Sequence, residues 1–201
     1  AASDVYKRQA VYLAEYAKQG KVVELIRYAA DALASVPSIV MGLFGYALFV
    51  EAMGLGLSMV SAALALALLM LPIVMRTTEE AIRAVPRYIR WGAYGLGATK
   101  WQVVSKIVLP SAFGRIATGI VLAIGRAIGE TMAVLMVVGN APVIPDSIAS
   151  PISTLTSQIA LDMSYSSGLH RSALFGMGVV LFIISATLVG IVRLISKKKR
   201  G

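Results

Sequence analysis

Two charged residues in an apolar run are the part of this chain best placed to do chemistry: Arg126 and Glu130, four apart between Ile116 and Gly139. A lone arginine at the centre of a membrane helix costs at least about 2.5–3.5 kcal/mol, so such side chains face protein or water rather than lipid. The i, i+4 spacing predicts that both share one helical face and form an ion pair that lowers the cost of insertion. A guanidinium is permanently charged and offers a planar fork that fits the oxygens of an oxyanion. Glu130 would steady that fork and weaken its positive potential, because an ion on a conduction path must be able to leave. The alternative is an ion pair that only fixes helix register or a subunit contact. Gly125 and Gly129 stand beside the pair in a G-x-x-x-G pattern, which lets a neighbouring helix come close.

The elements that must carry these charges are membrane helices. The chain is 58% hydrophobic and 14% charged, with a mean hydropathy of +0.79, too apolar for an ordinary soluble domain. Crossing about 30 Å of hydrocarbon takes about 20 apolar residues. Four runs qualify: Ala32 to Val50 with Pro37 inside it, Leu57 to Met75 with Pro72, Ile116 to Gly139, and Ser172 to Val192. None alternates like a barrel strand, so the fold class is all-α and polytopic, with about four transmembrane helices. The two prolines predict kinks.

Basic residues give the orientation. Arg76, Arg83, Arg87, Arg90, Lys100 and Lys106 face only Glu79 and Glu80 in the stretch 76–106, and Arg193 with Lys197 to Arg200 closes the chain. The stretch 140–171 holds Asp146, Asp162 and Arg171. The positive-inside rule therefore places 76–109 and the C-terminus in the cytoplasm of a multi-pass cell-membrane protein, and 140–171 outside. Topology and anionic lipid then account for the formal net charge of +9, which removes nucleic acid as a partner. With no cysteine and a single histidine, His170, no metal site is expected.

A second stretch looks built to meet a soluble partner: Trp91, Gly92, Ala93, Tyr94, Gly95, Leu96, Gly97, Ala98, Thr99, running on to Lys100 and Trp101. Helical pattern precedes Pro86 and returns from Trp101 to Val108, with Pro110 in the first turn of the next membrane helix. The glycines between permit a sharp turn. Gly92 and Gly97 have Walker A spacing, but Ala98 occupies the lysine position, so the turn does not cradle nucleotide.

This stretch resembles the coupling (EAA) loop of ABC importer permeases, in which a glycine is followed ten residues later by I-x-L-P: here Gly97 and Ile107-Val108-Leu109-Pro110. Trp91 stands where that motif has its glutamate, and Gly92 where it has alanine. The string Gly125-Arg126-Ala127-Ile128-Gly129-Glu130-Thr131-Met132-Ala133-Val134, with Val138-Gly139-Asn140 and Gly168-Leu169-His170, is similar to phosphate permeases of the Pst system, PstC type. The resemblance covers 10–200 and implies a six-helix type I importer fold with its first two helices missing here. It implies import of inorganic phosphate past Arg126, Glu130 and Thr131, with Trp91, Gly92, Ala93, Gly95, Leu96, Gly97, Ala98 and Thr99 coupling to an ATP-binding subunit dimer. It further implies a second, PstA-like permease, an extracytoplasmic phosphate-binding protein and surrounding membrane lipid as partners. This chain would bind no cofactor itself, ATP and Mg belonging to the ATP-binding subunit, so it would not be an enzyme. Another oxyanion (molybdate, sulfate, phosphonate) or a transport-dead scaffold or signalling role are the rival readings.

Elsewhere the chemistry is plainer. Residues 1–9 read as an atypical junction, foreign to the permease domain that follows over 10–200. The stretch around Pro142, Pro145 and Pro151, with Ser153, Thr154, Thr156 and Ser157, predicts a short interfacial helix.

Overall fold

The computed structural model describes residues 20–198, with no side chains described at Val22 or beyond Ile191. The atypical segment 1–9 and most of the basic C-terminal run lie outside the described residues. Nine α-helices occur among them: α1 (Lys21–Ser35), α2 (Ser38–Gly45), α3 (Met59–Arg83), α4 (Arg87–Gly95), α5 (Lys100–Val103), α6 (Leu109–Ile128), α7 (Met132–Val137), α8 (Leu155–Asp162) and α9 (Gly168–Lys198). π-helical turns continue α2 over Tyr46–Ala52 and join α5 to α6 over Val104–Val108.

Helices at Met59–Arg83, Lys100–Ile128 and Gly168–Ile191 are long and apolar enough to cross a membrane. A fourth span exists only if α1 and the α2 segment count as one broken span. The expected number of about four holds on that count, while two of the expected positions move. The run 32–50 is cut because Pro37 lacks an N–H and pushes Val36 out of the helical region. Pro37 sits at φ −56°, ψ 138°, and its carbonyl accepts the N–H of Val40 and Met41 at 3.0 and 3.2 Å, which starts α2. The run 116–139 is also cut, and its membrane helix instead extends back to Lys100. Pro110 opens the α-helical segment as expected, directly after a π turn that loosens the backbone where its missing N–H and bulky ring fall.

Contacts divide the chain into two units. The first contains the described parts of Ala1–Ala32, Leu71–Ala123 and Gly190–Gly201. Its core joins Ala81, Ile82 and Val85 to Ala93, Val103, Val108, Ala112 and Ile116. Gly119 lets α6 meet α3, since a Cβ there would lie 2.6 Å from Thr77 Oγ1. A smaller cluster of Val23, Ala30 and Met75 packs α1 on α3. Charges of alternating sign line that contact: Arg27 Nη2 and Arg83 Nη2 each lie 2.8 Å from Glu79 Oε1. Arg76 reaches Asp31 at 2.8 Å and Glu80 at 3.3 Å. Glu79 is buried, so removing either arginine would leave its charge under-compensated, at a cost of up to about 3–5 kcal/mol.

The second unit comprises Leu33–Met70 and Ile124–Val189. Phe49, Ala62, Ala65, Val134, Val137 and Val138 form its core. Gly42 brings α2 against the α7 backbone, with room for no Cβ: one would sit 2.9 Å from Ala133 Cα. The start of α3 exposes N–H groups that no helical carbonyl can accept. Val137, Ser150 and Ile148 carbonyls take those of Ser58, Met59 and Val60, each at 3.2 Å. The helix expected near the prolines forms as α8, started by a capping box between Thr154 and Ser157.

Gly119→Leu is expected to lower the thermal stability of the purified protein by about 1–3 kcal/mol through overpacking. Gly114→Leu, on the same helix with nothing within 4 Å of its Cβ position, should leave the melting temperature unchanged in the same assay.

Candidate functional site

Arg126 lies two residues before the end of α6, not at the centre of a span. The last turn of α6 tightens to i→i−3 bonds, Gly129 N–H to Arg126 O at 3.1 Å and Glu130 N–H to Ala127 O at 3.2 Å, and residues 129–131 are non-helical. Glycine at 129 has the weak helix preference such a stop needs. Beyond it the Glu130 carboxylate turns forward and accepts the Ala133 N–H at 3.4 Å, satisfying an orphan donor of α7. The expected Arg126–Glu130 ion pair is absent from those that the described residues form. With the helix ended, i, i+4 spacing no longer puts the two on one face.

The break is closed by further hydrogen bonds. Thr131 Oγ1 donates to Gly129 O at 3.3 Å, and Thr156 Oγ1 of α8 donates to Glu130 O at 3.1 Å. Asn140 Nδ2 caps the far end of α7 through Leu135 O at 2.8 Å, with Gly139 and Asn140 both at positive φ. Arg126 itself is exposed, Glu130 and Thr131 half-buried. Gly125 faces Leu188 of α9. A permanently charged, exposed cation thus stands two residues before the end of an apolar helix, and the carboxylate of Glu130 caps the segment that follows. That arrangement can attract an anion without neutralising the arginine first. Residue types alone did not show the break, of which glycine at 129 is only a weak local mark.

The glycine stretch folds as expected into helix, turn, helix. Pro86 precedes α4, and Arg90 Nη2 donates to Ile82 O at 2.7 Å, capping the end of α3. At the end of α4 the Gly97 N–H reaches Tyr94 O at 3.0 Å and the Ala98 N–H reaches Ala93 O at 3.1 Å. With Gly97 at φ 77° this is a Schellman stop. Ala93 and Ala98 pack on the core of the unit, so the turn is anchored from below. Thr99 and Gln102 form a capping box that starts α5.

The opposite face is bare. Tyr88, Trp91 and Trp101 are 74%, 69% and 66% exposed, and Leu96 is 90% exposed. Gly92 and Gly95 are exposed between them with nothing within 4 Å of a Cβ. Trp91 meets Tyr94 edge-on, ring centres 6.4 Å apart. Of the expected residues, Trp91, Gly92, Gly95, Leu96 and Gly97 lie on the accessible side, whereas Ala93, Ala98 and Thr99 build the turn. The Arg27–Glu79–Arg83 cluster has only a partial signal in the sequence, the i, i+4 spacing of Glu79–Arg83, Arg76–Glu80 and Arg27–Asp31.

Residues 10–201 match the family described as binding-protein-dependent transport system inner membrane component. The chain is 35% identical to the phosphate transport system permease protein PstC of Pasteurella multocida, covering 86% of this chain and 63% of that protein. It is 36% identical to phosphate transport system permease protein PstA 1 of Mycobacterium tuberculosis, covering 95% and 64%. It is 32% identical to the probable ABC transporter permease protein YqgH of Bacillus subtilis, covering 95% and 64%. The chain therefore spans just under two thirds of the length of these relatives. Its fold is similar to an inward-facing structure of the MetNI methionine ABC transporter, with a TM-score of 0.71 at 18% identity, covering 96% of this chain and 87% of that one.

Gly97→Val forces a β-branched residue into the left-handed region, at a cost of about 1–2 kcal/mol. Hydrogen exchange at the Gly97 and Ala98 amides should accelerate accordingly, while the Thr99-capped amide of Gln102 keeps its protection.

Proposed function

This chain belongs to the family of binding-protein-dependent transport system inner membrane components, and on that premise we propose that it is one of two permease subunits of an ATP-driven importer of inorganic phosphate. It is a multi-pass membrane protein, and the proposal places the segment 86–101 and the C-terminus in the cytoplasm. The observation that carries the substrate reading is Arg126, an exposed and permanently charged fork at a break in an apolar helix, in a chain similar to proteins named phosphate permeases. A helix interrupted where it lines a cavity is a recurrent way to build an ion site within a membrane.

In this mechanism phosphate arrives from an extracytoplasmic binding protein and meets Arg126, whose two N–H edges pair with its oxygens. Glu130 acts from the next position. Its charge tempers the local potential while its oxygen holds α7 in place. Thr131 supplies a hydroxyl at the break, one that can turn from Gly129 O toward a passing oxyanion. The exposed face of Tyr88, Trp91, Leu96 and Trp101 docks the ATP-binding subunits. ATP and Mg²⁺ reside on those subunits, and hydrolysis is theirs. Closure of their dimer pushes the docked segment, and the continuous helix from Lys100 to Ile128 conveys the motion into the membrane.

In the complete importer reconstituted in liposomes, Arg126→Gln should cut labelled-phosphate uptake at least about tenfold, the scale of one lost charge-assisted hydrogen bond. Unchanged uptake removes Arg126 from the path, and uptake of labelled molybdate or sulfate by a complex that takes up no labelled phosphate refutes the substrate. Trp91→Ala should weaken recovery of the ATP-binding subunit with the permease, by about 2 kcal/mol if the indole is an anchor of the interface. Equal recovery would show that docking lies elsewhere.

A further inference from the structure

The ion cluster on α1 and α3 has no part in anion binding or docking as described above. Its pattern is crossed: a base on α1, Arg27, meets an acid on α3, Glu79, and one turn along an acid on α1, Asp31, meets a base on α3, Arg76, each at 2.8 Å. Arg76, Glu79, Glu80 and Arg83 lie in the last turns of α3, the stem from which the exposed α4 segment projects. Arg83 is the final residue of α3 and shares Glu79 with Arg27. Immediately beyond, Arg90 of α4 holds Ile82 O of α3, and Ala81, Ile82 and Val85 pack against Ala93. From α4 through the α3 stem to α1, each step is therefore an ion pair, a hydrogen bond or buried packing within one compact unit.

Among the described residues the clamp is electrically neutral, with Arg27, Arg76 and Arg83 against Asp31, Glu79 and Glu80. That argues against an anion or cation site and for a device that joins two helices. Its geometry resists sliding, because displacement of α1 along α3 by one turn would set Arg27 against Arg76 in one direction, and in the other Arg27 against Arg83 with Asp31 against Glu79 or Glu80.

We infer that Glu79 is a positioning residue for coupling: it locks α1 to the stem of the docking segment, so that a push on the segment moves α1 together with it. This rests on the proposed docking of ATP-binding subunits, and not on the identity of the transported anion. Two routes then leave the docked segment: covalent continuity from Lys100 to Ile128, and the ion-pair clamp to α1.

The test uses the complete importer in liposomes. Glu79→Gln should lower anion taken up per ATP hydrolysed by at least about fivefold, the lower end of typical coupling strengths. Glu79→Asp, which keeps the charge, should recover most of the ratio. Asp31→Asn and Arg76→Gln act on the solvent-exposed half of the clamp and should lower the ratio in the same direction without loss of assembly. An unchanged ratio in these variants overturns the inference, as does a Glu79→Gln defect that Glu79→Asp fails to relieve. A second readout needs no transported substrate: spin labels at exposed Leu25 and Lys106 should keep one separation between nucleotide-free and ATP-bound states, and lose that constancy in Glu79→Gln or, if that variant does not assemble, in Asp31→Asn. A separation that changes with ATP in the unaltered clamp refutes joint motion. Failure of phosphate uptake with constant separation refutes only the substrate.

Discussion

Backbone groups freed inside an apolar helix have no water to turn to, so each interruption in this chain must find a partner within the protein. After Pro37, the proline's own carbonyl starts α2. Before α3, carbonyls from 137–150 receive the first N–H groups. At 129–131, Glu130, Thr131 and Thr156 share the work. The break at 129–131 that follows Arg126 is thus a defined structure rather than a frayed end. A continuous helix would have paired Arg126 with Glu130 and hidden the cation from any solute. Ending the helix at Ile128 separates their tasks: one carboxylate holds backbone, one guanidinium stays available.

The first unit solves a different problem. A short helix bearing aromatic groups toward solvent must be held firmly from behind, or its exposed face would collapse onto the nearest apolar surface. Here the hold comes from a Schellman stop, a capping box, the Arg90 bond to the end of α3 and a core of small aliphatic residues. Tyr88, Trp91, Leu96 and Trp101 can then remain exposed without being loose, which is what the proposed docking requires. Trp91, at the position where the coupling-loop motif that this stretch resembles has glutamate, gives that surface apolar contact and leaves the turn beneath it intact.

Much of this was legible in the residues. The apolar runs 57–75 and 172–192 marked two of the membrane helices, the glycine spacing marked the turn, and Pro86 marked the start of α4, since each rests on local chemistry that needs no partner. What the sequence did not show depends on distant contacts. The run 116–139 reads as one helix because no proline interrupts it, and only the partners of Glu130 and its carbonyl make the break affordable. The clamp of Arg27, Glu79 and Arg83 joins residues about fifty positions apart in the chain, so helical spacing reveals its halves but not their meeting. The π turn at Val104–Val108 likewise has no signature beyond the proline that follows it.

The central claim is that the gap at 129–131 opens onto the path of a phosphate ion. It is tested most directly by placing a cysteine at Thr131 in the complete importer, this stretch of chain having none of its own. A membrane-impermeant thiol reagent should modify Thr131→Cys, and phosphate should slow the reaction where sulfate does not. Failure to react from either side of the membrane, or a rate indifferent to phosphate, would contradict the account.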